Sequence, residues 1–105
     1  MLQRIQDAVR GGDVVYGFHS KLRQVEKGIT EDEIGLAIGY NAPEIIEDYP
    51  DDPRGRSCLV RGETENGVIH VLCTVETPIF IITCYRPDPN EWYNGFRRRK
   101  TNEVP

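Results

Sequence analysis

Two strand-like runs in tandem, residues 68–75 and 79–86, most constrain what this chain can become. A strand half buried against a core is expected to alternate apolar and polar side chains. Here the alternation sets Cys73, Phe80, Ile82 and Cys84 in phase with Val60 and Val71 on an inward face. His70, Thr83 and Tyr85 fall on the other face. The tight connection through Thr77-Pro78 leaves room only for antiparallel neighbours. Keeping both apolar sets inward puts His70 opposite Tyr85. A slip of one residue would bury the Thr83 and Tyr85 hydroxyls, at roughly 1–3 kcal/mol for each one left without a partner. Upstream, Asn66-Gly67 lies between residues 57–64 and 68–75 and signals a type I′ hairpin turn. That turn would set Val60 opposite Cys73 and Glu63 opposite His70.

The first half reads as helical. Leu2, Ile5, Ala8 and Val9 recur at helix spacing and Gly11-Gly12 stops the run. Residues 13–18 read as a short strand. Residues 20–27 read as a helix with Leu22 and Val25 inward, closed by Gly28. Thr30-Glu-Asp-Glu33 fits a capping box, in which the Thr30 hydroxyl takes the Glu33 amide and the Glu33 carboxylate reaches back. Ile34, Ala37 and Ile38 give that helix its apolar stripe. Residues 44–49 read as a strand, and residues 50–55 as a loop dense in turn residues. Helices first and a meander after is an α+β arrangement: N-terminal helices on one face of a four- to five-stranded antiparallel sheet. No repeat or internal boundary divides it, so residues 1–105 are expected to form one domain.

Composition narrows the class. A chain of 105 residues, 38% hydrophobic and 29% charged, can bury a core without disulfides or metal. The net charge of −4 argues against a protein that coats nucleic acid without selectivity. Charge is nevertheless uneven. Glu44, Glu47, Asp48, Asp51 and Asp52 crowd one segment, and Arg97, Arg98, Arg99 and Lys100 another. Cys58, Cys73 and Cys84 are odd in number and lack metal-site spacing, so buried free thiols are expected. Asp51-Asp52 sits in a proline-rich loop, where carboxylates are usually solvated, and no metal or cofactor is expected. No apolar stretch is long enough to span a bilayer. With no signal-peptide pattern at the N-terminus, the expected setting is a reducing cytoplasm.

Several segments in order carry a resemblance: His19-Ser-Lys-Leu-Arg23 leading to Lys27-Gly-Ile29, Ile45-Ile-Glu-Asp-Tyr-Pro50, Gly55-Arg-Ser-Cys-Leu-Val60, Ile69-His-Val71, Ile81-Ile-Thr-Cys-Tyr-Arg-Pro-Asp88, Trp92, and Phe96-Arg-Arg-Arg-Lys100. Together they resemble the bacterial family called domain of unknown function 4258. The resemblance implies a RelE-like α+β fold, similar to toxins of bacterial toxin–antitoxin pairs, BrnT among them. Such toxins cleave messenger RNA, often at the ribosome. They are silenced by a small antitoxin, here expected to be of zinc-finger or DNA-binding type. The chain departs from the family pattern at Gln24, at Lys27 and in its short connection between residues 75 and 79. Lys27 keeps the charge of the family's arginine but not its bidentate fork.

Metal-independent RNA cleavage needs groups that move protons and cations that hold phosphate. His19, Arg23, His70 and Tyr85 would be the catalytic set. Arg54, Arg61, Arg97, Arg98, Arg99 and Lys100 would grip the RNA backbone, with Arg56 extending the patch. Each residue also has a plainer reading. His19 can be a helix cap or a surface histidine, and Arg23 a solvated helix arginine. His70 can be a strand residue bonded to Glu63, Tyr85 a core-edge aromatic, and residues 97–100 a solvated tail. Trp92 and Phe96 are expected to pack the C-terminal segment onto the sheet. The rival to a nuclease is a binding module that uses the open sheet face for a partner protein or peptide.

Overall fold

The apolar spacing at the N-terminus forms α1 (Leu2–Arg10), which buries Ile5 and Ala8 and ends at Gly11. The structure, a computed structural model, describes residues 1–100; the last five positions of the expected 1–105 domain lie outside the described residues. After α1 come β1 (Val14–Tyr16), α2 (Phe18–Lys27), α3 (Glu31–Gly39), β2 (Glu44–Tyr49), β3 (Ser57–Thr64), β4 (Gly67–Thr74) and β5 (Ile79–Tyr85). A short pair, β6 (Trp92–Tyr93) and β7 (Arg98–Arg99), closes the described chain. The fold is α+β. Helix α2 packs on β5, α3 on β3, and α1 on α3. The core between these layers holds Ile5, Ile34, Ile38, Val60, Val71 and Ile81, each at most 1% exposed. All three cysteines are free and fully buried within it.

The sheet order is β1-β5-β4-β3-β2. Strands β2 to β5 form the expected antiparallel meander. β1, however, joins the far edge parallel to β5, with Val14 beside Ile79 and Tyr16 beside Ile81. The sheet is therefore mixed and not purely antiparallel. A parallel pair needs a long crossover, and the chain that separates β1 from β5, with α2 and α3 in it, provides one.

The first hairpin departs from the expected register by one residue pair. Thr64 faces Gly67, so Glu65 and Asn66 are the turn residues. A type I′ turn needs positive φ at both central positions, whereas among these residues only Gly67 has it, at 107°. The Thr64 hydroxyl fixes the alternative: it accepts the Asn66 amide at 3.0 Å and donates to the Gly67 carbonyl at 2.8 Å. Val60 thus faces Val71, Cys58 faces Cys73, and His70 faces Arg61, not Glu63. The shift is even, so every side chain keeps its expected face.

In the second hairpin His70 faces Tyr85 and Leu72 faces Thr83, as expected. A bulge then intervenes, because Cys73 faces Ile81. Ile82 is the extra residue, and the alternation changes phase across it. Ile79, Ile81 and Cys84 become the core set, while Phe80, expected inward, is 41% exposed.

Two helix expectations also change. The Thr30 oxygen accepts the Glu33 amide at 3.0 Å, but the Glu33 carboxylate does not reach back. It binds Arg86 at 3.1 and 3.2 Å instead, tying α3 to the end of β5. Helix α2 is turned the other way from its apolar pattern. Ser20 and Gln24 are buried, whereas Leu22 is 43% and Val25 85% exposed. The side toward the sheet is narrow and polar: the Ser20 hydroxyl donates to the Gln24 side-chain oxygen at 3.0 Å and lies 4.0 Å from the Cys84 sulfur.

Candidate functional site: the open face of the sheet

The helices cover one face of the sheet, and alternation sends polar side chains to the other. Cross-strand partners Glu44, Arg61, His70 and Tyr85 line up across β2, β3, β4 and β5 as one row. The next row is Glu47, Leu59, Leu72 and Thr83. A bulge at Ile46 makes both acidic members possible. Without it, glutamates three apart in a strand would point to opposite faces.

The C-terminal segment lies along the first row. The Gly95 carbonyl accepts from Arg61 at 2.7 Å, and the Phe96 carbonyl accepts from His70 Nε2 at 2.8 Å. Arg97 binds Glu44 at 2.7 and 3.0 Å, and Arg99 binds Glu47 at 3.2 and 3.0 Å. Trp92, 5% exposed, packs its ring edge to face on His70, with centroids 4.4 Å apart. The guanidinium of Arg99 lies over the Trp92 ring, 4.6 Å from its centre. Asn94, Gly95 and Phe96 all have positive φ, which lets successive carbonyls point at the sheet.

This packing decides what the basic residues can do. Arg97 and Arg99 hold the hairpin to β2, Arg54 binds Asp52, and Arg56 binds Asp48. Arg61 is 5% exposed beneath the hairpin and also meets Glu63 at 3.3 Å. Arg98 and Lys100 lie over Tyr93 and make no ion pair among the described residues. Residues 97–100 are not a solvated tail, and most of the expected phosphate grip is spent on internal carboxylates.

His70 is fully buried. A carbonyl can only accept, so Nε2 carries the proton toward Phe96. Nδ1 is then the acceptor for the Tyr85 hydroxyl, 3.2 Å away. Burial is the main reason the imidazole pKa falls from 6.5 to about 4, against the raising effects of the Phe96 carbonyl and Glu47. Burial likewise pushes the Tyr85 phenol up to about 12. Both shifts oppose moving the tyrosine proton onto this histidine, which would create two charges where burial favours the neutral forms. At neutral pH the pair is a fixed hydrogen bond. Tyr85 keeps its lone pairs for a ligand but not its proton.

The lowered histidine pKa makes stability pH-dependent. The folded state binds fewer protons than the unfolded chain between pH 6.5 and about 4. The stability conferred by the neutral imidazole is therefore complete above 6.5 and is lost as the pH falls toward 4, by on the order of 3 kcal/mol. Urea unfolding across this range should show that loss in the native protein and not in His70→Gln. Equal pH slopes for the two would contradict the assignment.

Beside the covered row, the second row is only partly covered: Leu72 and Thr83 are half-buried, whereas Leu59 is 3% exposed. Leu59, Leu72, Thr83 and Tyr85 floor a cleft of about 700 Å³. Its walls are Tyr49, the loop through Pro50 and Pro53, Arg54 and Arg99. The floor is mainly apolar, and the rim arginines, Arg54 and Arg99, are internally paired. Burial alone would raise the Glu47 carboxyl; the Arg99 guanidinium and the Tyr49 hydroxyl outweigh it and hold its pKa below the usual value. Asp52 is held well below the carboxylate range by Arg54 and by the Ser57 hydroxyl at 2.7 Å. Among the described residues no cluster of His, Cys, Asp or Glu is placed to hold a metal ion.

His70 and Tyr85 are thus brought together. His19 and Arg23 are not brought to them: both are exposed on α2, on the helical side of the sheet, with Arg23 bound to Glu26 at 3.2 Å. The expected four-residue set does not converge. Sequence reasoning missed the cleft floor Leu59 and Leu72, and the wall residue Tyr49. Only the apolar phase of Leu59 and Leu72, opposite to Val60 and Val71, marked them as facing away from the core.

Fold and site define a small mixed-sheet α+β domain with an apolar-floored cleft on its uncovered face. The chain belongs to the family described as domain of unknown function 4258, which it matches over residues 16–86. The matched span runs from the last residue of β1 through β5, includes His70 and Tyr85, and ends before the C-terminal hairpin that seals His70. No match is found among curated proteins or among solved structures.

Proposed function

We propose that the protein is a binding module that seats an apolar side chain and the flanking backbone of a partner protein in the open-face cleft. The carrying observation is the combination of an apolar floor, Leu59 and Leu72, with rim cations already paired and a Tyr85 oxygen left as an acceptor for a backbone amide. A nucleic-acid groove needs cations free to meet phosphate, and the net charge of −4 opposes one at long range. Convergent polar groups over an apolar floor are what a peptide anchor requires.

A second reading keeps the RelE/BrnT-like fold and makes the protein a toxin of a toxin–antitoxin pair in the cytoplasm, a metal-independent endoribonuclease or a degenerate relative of one. Its supports are the layering, with helices on one face and the sheet open on the other, and the Tyr85 hydroxyl in a cleft with Arg99. Its partner would be a small zinc-finger or DNA-binding antitoxin, and its target mRNA, free or on the ribosome.

A photo-crosslinking benzoylphenylalanine at Thr83, on the cleft floor, separates the two readings in cells. The binding reading expects a discrete protein adduct that disappears when Leu72→Glu is added. Adducts to RNA alone, with growth arrest and RNA cleavage that Tyr85→Phe abolishes, would overturn it in favour of the nuclease.

A further inference from the structure

Helix α2 presents its apolar stripe to solvent. Phe18, Leu22 and Val25, spaced to lie on one helix face, are 73%, 43% and 85% exposed. Its polar Ser20 and Gln24 occupy the sheet-facing side that an amphipathic helix normally gives to apolar residues. Gly17 is packed against the Phe80 ring, and Phe80 and its β1 neighbour Val15 are 41% and 45% exposed. A helix whose pattern is inverted in this way leaves its strongest apolar stripe without a partner in the chain, among the described residues.

Charge says what kind of partner fits. Lys21, Arg23 and Lys27 against Glu26 make α2 net positive on a chain of net −4. Lys21 and Lys27 make no ion pair among the described residues, and Arg23 meets only Glu26. Two copies pairing through this stripe would bring two positive helices together. An anionic bilayer would attract the helix but repel the acidic remainder of the domain. A short acidic segment avoids both penalties.

We propose that the α2 face is a docking site for an acidic amphipathic helix of a partner protein, its apolar side chains laid against Phe18, Leu22 and Val25 and its carboxylates against Lys21, which borders the stripe. This face lies across the sheet from the cleft, so the site stands or falls independently of the cleft reading.

The test uses two synthetic helical peptides with the same leucine stripe, one flanked by glutamates and one by lysines, titrated by fluorescence anisotropy. The glutamate peptide should bind saturably and at least roughly tenfold more tightly than the lysine peptide. The double variant Leu22→Ser, Val25→Ser changes only exposed side chains. With its circular dichroism unchanged, it should weaken binding by roughly tenfold or more. Leu72→Glu, in the cleft, should leave binding as it was. No saturable binding, equal binding of the two peptides, or indifference to the double variant would overturn the proposal. Binding to phosphatidylserine vesicles in place of the peptide would assign the face to a membrane. Self-association lost in the double variant would assign it to a second copy. Either result would overturn the proposal.

Discussion

Replacing His70 by alanine should lower the unfolding free energy by about 4 kcal/mol, the cost of a buried ring removed together with its hydrogen bonds. His70 is fully buried, and both ring nitrogens are engaged, one by the Tyr85 hydroxyl and one by the Phe96 carbonyl. The loss should be local as well as global. Trp92 rests on the imidazole, and Phe96 holds a φ of 67°, a conformation costing about 1 kcal/mol or more that persists only while its carbonyl is bound. Trp92, the chain's one tryptophan, makes its fluorescence a direct reporter. In His70→Ala its emission should shift to longer wavelength, and amide exchange at residues 92–99 should quicken before the rest of the sheet opens. Unchanged stability and emission would mean that His70 is not what fastens the hairpin.

Gly62→Ala should destabilise the fold by about 3 kcal/mol, the upper end for overpacking a well-packed core. A Cβ built at Gly62 on β3 would sit 2.5 Å from the Ala37 carbonyl oxygen and 2.7 Å from its Cβ. The obstacle is the backbone of α3 and not the end of a flexible side chain, so the helix itself must move off the sheet. That movement would loosen Ile34 and Ile38, both buried against the same strands. Thermal unfolding of Gly62→Ala beside Gly55→Ala isolates the close approach, because nothing lies within 4 Å of a Cβ at Gly55. Gly55 has a φ of 104°, so its own substitution reports backbone strain alone. A Gly62 variant no less stable than the Gly55 variant would refute the packing argument.

Local pattern made much of the architecture legible. Helix period in residues 2–9, the Thr30 cap, and strand alternation around Val60, Val71 and Cys84 are short-range signals that the fold keeps. The facing of His70 and Tyr85 followed from the same rule, because one wrong step would have buried two hydroxyls. The candidate site was less legible. Bulges at Ile46 and Ile82 change which residues share a face, and a bulge has no reliable signature in an apolar run. Ile46 gives Glu44 and Glu47 to the same side, and Ile82 takes Phe80 out of the core.

The sequence by itself determined the α+β class, the meander from β2 to β5 and the facing of β3 and β4 residues, because propensity and alternation act over a few residues. Only tertiary structure decided that β1 would lie parallel to β5, since that pairing joins segments more than sixty residues apart. It also decided that α2 would turn its apolar stripe outward, leaving Ser20 and Gln24 toward β5, and that Arg97 and Arg99 would close on Glu44 and Glu47. A run of like charges reads as a free patch until the chain folds. Whether those charges meet phosphate or carboxylate depends on which distant strand lies beside them, and no local pattern records that.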